Sequence, residues 1–222
     1  MKAILKAYMN KTAIVIGATG VVGFELVKQL CADDTFSKVI TLGRRAANFQ
    51  NDKLIQHVVD FNDPRSWQDL LVADTLFCSL GTTLKQAGSK EAQKSIDLDL
   101  PKLIAAKAKS NGVRNFALVS STGAEVNSNS FYLSLKGRLE QYLQELNFST
   151  LTIVQPSVLD AKRTEFRLGE EVAIKLLKGL QFLPGFRLYR PIKSAQVAKA
   201  LIFYQHKNNE GLLVKKLDEL FI

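Results

Sequence analysis

Only two cysteines occur in 222 residues, Cys31 and Cys78, and they have no spacing that would gather thiols around a metal. So few exclude a disulfide scaffold and predict small core residues kept in a reducing compartment. No apolar run approaches the roughly 20 residues that span a bilayer, so no membrane contact is expected. Met1 to Asn10 has neither the apolar core of a secretion signal nor a small-residue cleavage site, although Lys2, Lys6 and Lys11 stand around it. These absences predict a cytoplasmic protein. There is no solenoid-length repeat, low-complexity stretch or linker composition, so residues 1–222 are expected to form one domain, monomeric or homodimeric. The 30 Lys and Arg exceed the 21 Asp and Glu by nine, yet they stand singly or in pairs. Without an aromatic-interleaved basic patch, a nucleic-acid role is set aside in favour of a small phosphate-bearing partner.

What is present is an alternation of strand and helix, beginning with Thr12-Ala13-Ile14-Val15-Ile16. This run is short, apolar and β-branched, as in a strand covered on both faces. Gly17-Ala18-Thr19-Gly20-Val21-Val22-Gly23 follows at once. A turn that tight needs residues without a Cβ, and the helix that follows presents free N–H groups and its positive dipole end to an anion. Val22, Leu26, Val27 and Leu30 give that helix an apolar stripe. Because Ala18 takes the second glycine position, the spacing is GxxGxxG rather than GxGxxG. The second strand, Lys38 to Leu42, ends in Gly43-Arg44-Arg45, where an NAD-specific protein would place an acid. Two arginines suit the 2′-phosphate of NADP(H) instead, a solvated basic loop being the competing reading.

The alternation continues along the chain. Leu54 to Val59 reads as a strand ending in Asp60-Phe61, and Asn62-Asp63-Pro64 as the start of a helix through Trp67, Leu70 and Leu71. Asp60 is placed either to receive an adenine amino group or to cap its own loop. Asp74 to Leu80 reads as the fourth strand, followed by the tight turn Gly81-Thr82-Thr83, which would line the cofactor ribose. Ser89 caps a helix expected to kink or restart at Pro101 and to stop at Asn111-Gly112. Asn115 to Val119 is the fifth strand and runs into Ser120-Ser121-Thr122-Gly123. A helix from Tyr132 to Leu146 and a sixth strand, Thr150 to Val154, closed by Gln155-Pro156-Ser157, come next. Beyond them Val172 to Leu180 reads as helix, Phe182 to Pro191 as irregular, and Ser194 to Tyr204 as helix with a serine cap. Residues 160–222 are expected to supply most of a substrate cover.

Tyr132 and Lys136 stand four apart on a helix, which puts them on one face and lets the ammonium stabilise a phenolate. Ser120 and Ser121 end the preceding strand, close enough in sequence for a hydroxyl to reach the phenol. Such a hydroxyl can hold a carbonyl oxygen while hydride arrives from a nicotinamide. Tyr189 and Lys193 match the same spacing, but Pro191 between them breaks a shared helical face.

The chain therefore resembles an atypical short-chain dehydrogenase/reductase. The glycine turn, Ser120-Ser121 and Tyr132-x-x-x-Lys136 stand in that family's order. Within the family it is most similar to the HIV Tat-interacting oxidoreductase group, on Leu42-Gly43-Arg44-Arg45, Val59-Asp60-Phe61, Cys78-Ser79-Leu80-Gly81-Thr82-Thr83, Ala87-Gly88-Ser89 and Ser120-Ser121-Thr122-Gly123-Ala124. The resemblance implies a doubly wound parallel α/β sheet, a Rossmann fold, that binds NADP(H). It implies Tyr132 as proton donor, Lys136 shared between tyrosine and nicotinamide ribose, and Ser120 or Ser121 orienting substrate. The implied cofactor contacts are Gly17, Thr19, Gly20, Val21, Val22, Gly23, Arg44, Arg45, Asp60, Phe61, Leu80, Gly81, Thr82, Thr83, Tyr132 and Lys136. Pro156 and Val158, after the sixth strand, complete them. Two positions depart from the pattern: Gln155-Pro156-Ser157 stands where many relatives have Arg-Pro-Gly, and Asp97 where many larger relatives have asparagine. The expected function is NADPH-dependent reduction of a carbonyl, or oxidation of an alcohol. The alternative is a non-catalytic NADPH sensor on the same fold.

Overall fold

The computed structural model describes residues 10–160 and 190–222. Its strands are β1 (Lys11–Ile16), β2 (Phe36–Gly43), β3 (Leu54–Val58), β4 (Thr75–Cys78), β5 (Asn115–Val119), β6 (Thr150–Gln155) and β7 (Gly211–Lys216). The helices are α1 (Val21–Ala32), α2 (Leu84–Ala87), α3 (Lys90–Lys94), α4 (Leu100–Ser110), α5 (Phe131–Glu145) and α6 (Ser194–Lys207). All paired strands are parallel, in the order β3-β2-β1-β4-β5-β6-β7. Each parallel connection must cross a face of the sheet, which is why helices cover it on both sides. The order reverses between β1 and β4, so the carboxyl ends of those two strands open the crevice where ligands bind in such sheets.

The apolar runs seen in the sequence serve two layers at once. In β1, Ala13 and Val15 face Val22, Leu26, Val27 and Leu30 of α1 and Val197 and Leu201 of α6. Ile14 and Ile16 face Ile104 and Ala105 of α4, Leu135, Leu139 and Leu143 of α5, and Trp67. A strand buried on both faces has no polar alternation to show, and β1 has none.

The structure departs from the sequence reading at five places. The helix expected after Pro64 is two 3-10 turns, Pro64–Ser66 and Gln68–Leu70. Trp67 between them adopts φ −141°, off the helical path, and its ring is buried at 1% exposure, so burying the indole overrides the helical pattern. The restart expected at Pro101 takes the form of a π turn, Ser95–Asp99, that joins α3 to α4 with the proline in the first turn of α4. Ser194 is the first residue of α6 rather than its cap; Lys193 holds that position without a side-chain bond. The strand β7 was not anticipated. It lies at the sheet edge with Leu212 and Val214 exposed, so it carries little of the burial pattern that marks the other strands. Finally, residues 194–216, assigned to the substrate cover, build α6 and β7 of the sheet's own layers. The expected helix at 172–180, and the irregular segment from 182 except its last two residues, lie outside the described residues, as does Tyr189. Among the described residues no helix is long and apolar enough to cross a membrane.

Leu139 is fully buried in the layer formed by α4 and α5. Leu139→Ala removes apolar contacts and leaves a cavity, so unfolding in urea should show a loss of about 2–5 kcal/mol. A loss under about 1 kcal/mol would mean that α5 collapses onto the gap.

Candidate active site

The glycine turn is set by how closely α1 approaches β1. Gly17 has φ +88°, a conformation in which a side chain is strained. A Cβ on Gly23 would come within 2.0 Å of the Gly17 carbonyl oxygen. Gly20 donates its N–H to that same oxygen at 2.9 Å and caps α1 with no side chain of its own. The first N–H groups of α1, from Val21 and Val22 on, are thus left to an external anion. Ser79 steadies the turn from the end of β4, its hydroxyl donating to Ile16 O at 3.1 Å and Gly17 O at 3.4 Å.

From this turn a cleft runs along the ends of β1 and β2. Gly17, Ala18 and Thr19 line it on one side, Gly43, Arg44 and Arg45 on the other, with Phe61 and Leu80 at its margins. Both arginines are exposed and neither forms an ion pair among the described residues, so their guanidinium groups are open to a ligand. Asp60 is exposed too, but its Oδ1 accepts from the backbone and side-chain nitrogens of Asn62 at 2.9 and 3.0 Å. It closes its own turn, the capping alternative, and does not line the cleft.

Lys136 is 1% exposed, and its Nζ donates to Leu80 O at 3.0 Å. The same Nζ stands 5.8 Å from the centre of the half-buried Tyr132 ring. The loop Leu80–Thr83 that meets it is gripped from below at two further points. Asp97 Oδ1 accepts from Thr82 N at 2.7 Å, and Gln93 Nε2 donates to Thr82 O at 3.4 Å. Asp97 is wholly buried within the π turn, so its carboxylate is committed to holding this loop in shape. Thr83 caps α2 by accepting from Gln86 N.

The two serines part company. Ser120 is buried and donates its hydroxyl to Glu140 Oε1. Gln155 Nε2 reaches both oxygens of that carboxylate at 3.0 Å. Burial pushes the Glu140 carboxyl above its ordinary value, opposed by the Ser120 and Gln155 hydrogen bonds and the charge of Lys136. Ser121 is half-buried and lightly held, its hydroxyl 3.5 Å from Thr122 O. The loop beyond docks on α5 at Gly137, where a Cβ would sit 2.3 Å from the Glu125 carbonyl carbon. Ser134 secures it by donating to Val126 O at 2.9 Å. Pro156 O accepts from Thr122 N, and Val158 O from Ile192 N, so their backbones tie the end of β6 to its neighbours.

The glycine turn, the arginines, Phe61 and Leu80 thus share one cleft, and Tyr132 and Lys136 adjoin it through Leu80; Ser120 and Asp60 turn elsewhere. Sequence reasoning missed Ser79, Gln93, Gly137 and Glu140. Gly137 alone left a signal, since a glycine inside a helix costs about 1 kcal/mol relative to alanine and calls for a reason.

A family model described as NAD(P)H-binding matches residues 17–201. The chain belongs to this family, as an atypical short-chain dehydrogenase/reductase. It is similar to Protein HTATIP2 of Rattus norvegicus, 36% identical over 77% of this chain and 72% of that one. It is likewise similar to Protein FMP52, mitochondrial, of Candida glabrata, 40% identical over 93% of this chain and 91% of that one. Among solved structures, MoeE5 in complex with UDP-glucose and NAD superposes with a TM-score of 0.71 at 15% identity, covering 93% of this chain and 75% of that one. A short-chain dehydrogenase/reductase superfamily protein from Agrobacterium tumefaciens with bound NAD gives 0.70 at 14% identity, covering 93% and 77%.

The yeast relatives correct one expectation. Those of Candida glabrata, Candida albicans and Debaryomyces hansenii are all named mitochondrial, which overturns the cytoplasmic reading. That reading tested for an apolar secretion core, whereas organellar addresses are amphipathic and basic and leave no such run.

Gly23→Ala drives a methyl into the Gly17 carbonyl, so thermal unfolding should show a loss of about 2 kcal/mol or more. An unchanged Tm would mean that α1 slides away from β1 at little cost.

Proposed function

We propose that the chain is an NADPH-dependent oxidoreductase that reduces a carbonyl, or oxidises an alcohol, of a small molecule, working in mitochondria as the yeast relatives are named to do. The observation that carries this is the Lys136 ammonium, almost wholly buried between the Leu80 carbonyl and the Tyr132 ring. Burying a cation away from water is costly, and a helix charge without a task would stay solvated. The glycine turn leaves backbone N–H groups and no Cβ where a pyrophosphate would lie, so the residues present fit the cofactor. Gly17 through Gly23 would hold the phosphates, Arg44 and Arg45 the 2′-phosphate, and Leu80 through Thr83 with Pro156 and Val158 the ribose and nicotinamide. Bound NADPH supplies the hydride. Tyr132 donates the proton to the developing alkoxide, Lys136 stabilises the phenolate left behind, and the Ser121 hydroxyl orients the carbonyl oxygen. A sensor would need only the cleft and leaves the buried lysine without a purpose.

The test is NADPH consumption across aldehydes, ketones and quinones, beside Tyr132→Phe. The variant should bind NADPH within about threefold of wild type while kcat falls by roughly 10²-fold or more, because the phenol proton is needed only in the transition state. Turnover that survives the change removes tyrosine as the acid.

Cofactor choice is read from the arginines, since a guanidinium grips a phosphate by paired hydrogen bonds and a ribose hydroxyl gives it little. NADPH should bind at least ~10-fold, about 1.4 kcal/mol, more tightly than NADH, and the gap should narrow as salt rises. Replacing Arg44 and Arg45 with alanine should weaken NADPH strongly and NADH hardly at all in fluorescence titrations. Equal losses would reduce the arginines to general positive charge.

A further inference from the structure

Glu140 stands one helical turn after Lys136 on α5 and retains 9% of its exposure. Three elements meet on it: its own helix, the end of β5 through the Ser120 hydroxyl, and the end of β6 through both contacts from Gln155. Those partners are neutral. Hydrogen bonds satisfy the carboxylate oxygens, but no ion pair at contact distance balances the charge among the described residues. The charged groups that act on it are Lys136, one turn back, and Glu125 in the loop between β5 and α5. Lys136 in turn reaches the Leu80 carbonyl at the end of β4. One acid therefore lies behind the side chains that present the ends of β4, β5 and β6.

We propose that Glu140 is a positioning residue of the cofactor site: its carboxylate sets the charge balance around Lys136 and thereby the preference between oxidised and reduced nicotinamide. This rests on the reading that Lys136 touches the cofactor. The oxidised ring carries a positive charge and the reduced ring carries none, so a nearby carboxylate favours the oxidised form and a protonated acid does not. Burial lifts the Glu140 carboxyl above its ordinary value, so the charge forms only as pH rises through that raised value. The preference for NADP+ should rise over the same window. The phosphates are common to both cofactor forms, and their own titration cancels from the ratio of affinities.

NADPH is titrated by its fluorescence and NADP+ by calorimetry from pH 5 to 8.5, against wild type, Glu140→Gln and Glu140→Ala. In wild type the ratio of NADP+ affinity to NADPH affinity should climb by about threefold or more with rising pH. In Glu140→Gln, which keeps hydrogen-bonding capacity without the charge, the ratio should stay flat near the low-pH value of wild type. Glu140→Ala should give the same flat ratio even if loosened packing weakens both cofactors. A slope that persists in Glu140→Gln assigns the titration to another group and overturns the proposal. A flat ratio in all three proteins, with both cofactors weakened equally in the variants, reduces Glu140 to a structural tie. If wild type binds neither cofactor, the cofactor reading fails as well, an outcome separate from a flat ratio.

Discussion

The contact of α1 with the turn that precedes it constrains everything else. With only hydrogen at Gly23, the helix seats against the Gly17 carbonyl, and that seating aims its first N–H groups at the mouth of the sheet. Gly17 at φ +88° and the Ser79 hydroxyl across the strand hold the carbonyl where the helix meets it. Because β1 is the strand about which the sheet order reverses, this one close approach creates the crevice, and the ends of β2 and β4 become its walls.

The second feature is polar groups buried along the carboxyl edge. Lys136, Asp97, Gln93, Ser120 and Glu140 are each nine-tenths or more withdrawn from solvent. Burying such groups costs stability unless they are hydrogen-bonded, and each has a named acceptor or donor at the strand ends or on α5. Their common effect is to hold the Leu80–Thr83 loop, the Ser120–Ser121 edge and α5 in a fixed relation. Arrangements of this kind are expected where geometry serves binding or chemistry rather than packing alone.

Much of this was legible from local pattern. The alternating strands and helices, the glycine turn, the arginines after β2 and the tyrosine–lysine pair on α5 are all signals of short range, set by φ/ψ preference, hydrophobic period or a helical spacing of four. The failures share a cause. Trp67 broke a helical pattern because its ring had a core to enter. The edge strand β7 was unmarked because four of its six residues face water and none is buried. The substrate cover was assigned to a segment whose final helix and strand instead complete the sheet.

The sequence by itself determined the doubly wound parallel sheet, the position of the glycine turn and the placing of Arg44 and Arg45 beside it, because these follow from backbone sterics and from periodicities within about 15 residues. Only the tertiary structure decided that Ser120 rather than Ser121 is tied to Glu140, that Asp60 caps its own loop, that Gly137 admits the loop from β5, and that Glu140 stands against the ends of β5 and β6. The Asp60 turn is local and rests on side-chain competition for the backbone, but the other outcomes, together with the hold of Lys136 on Leu80, join residues from 11 (Gly137 to Val126) to 56 (Lys136 to Leu80) positions apart, which meet only once the fold has brought the strand ends together, and no local periodicity records such a meeting.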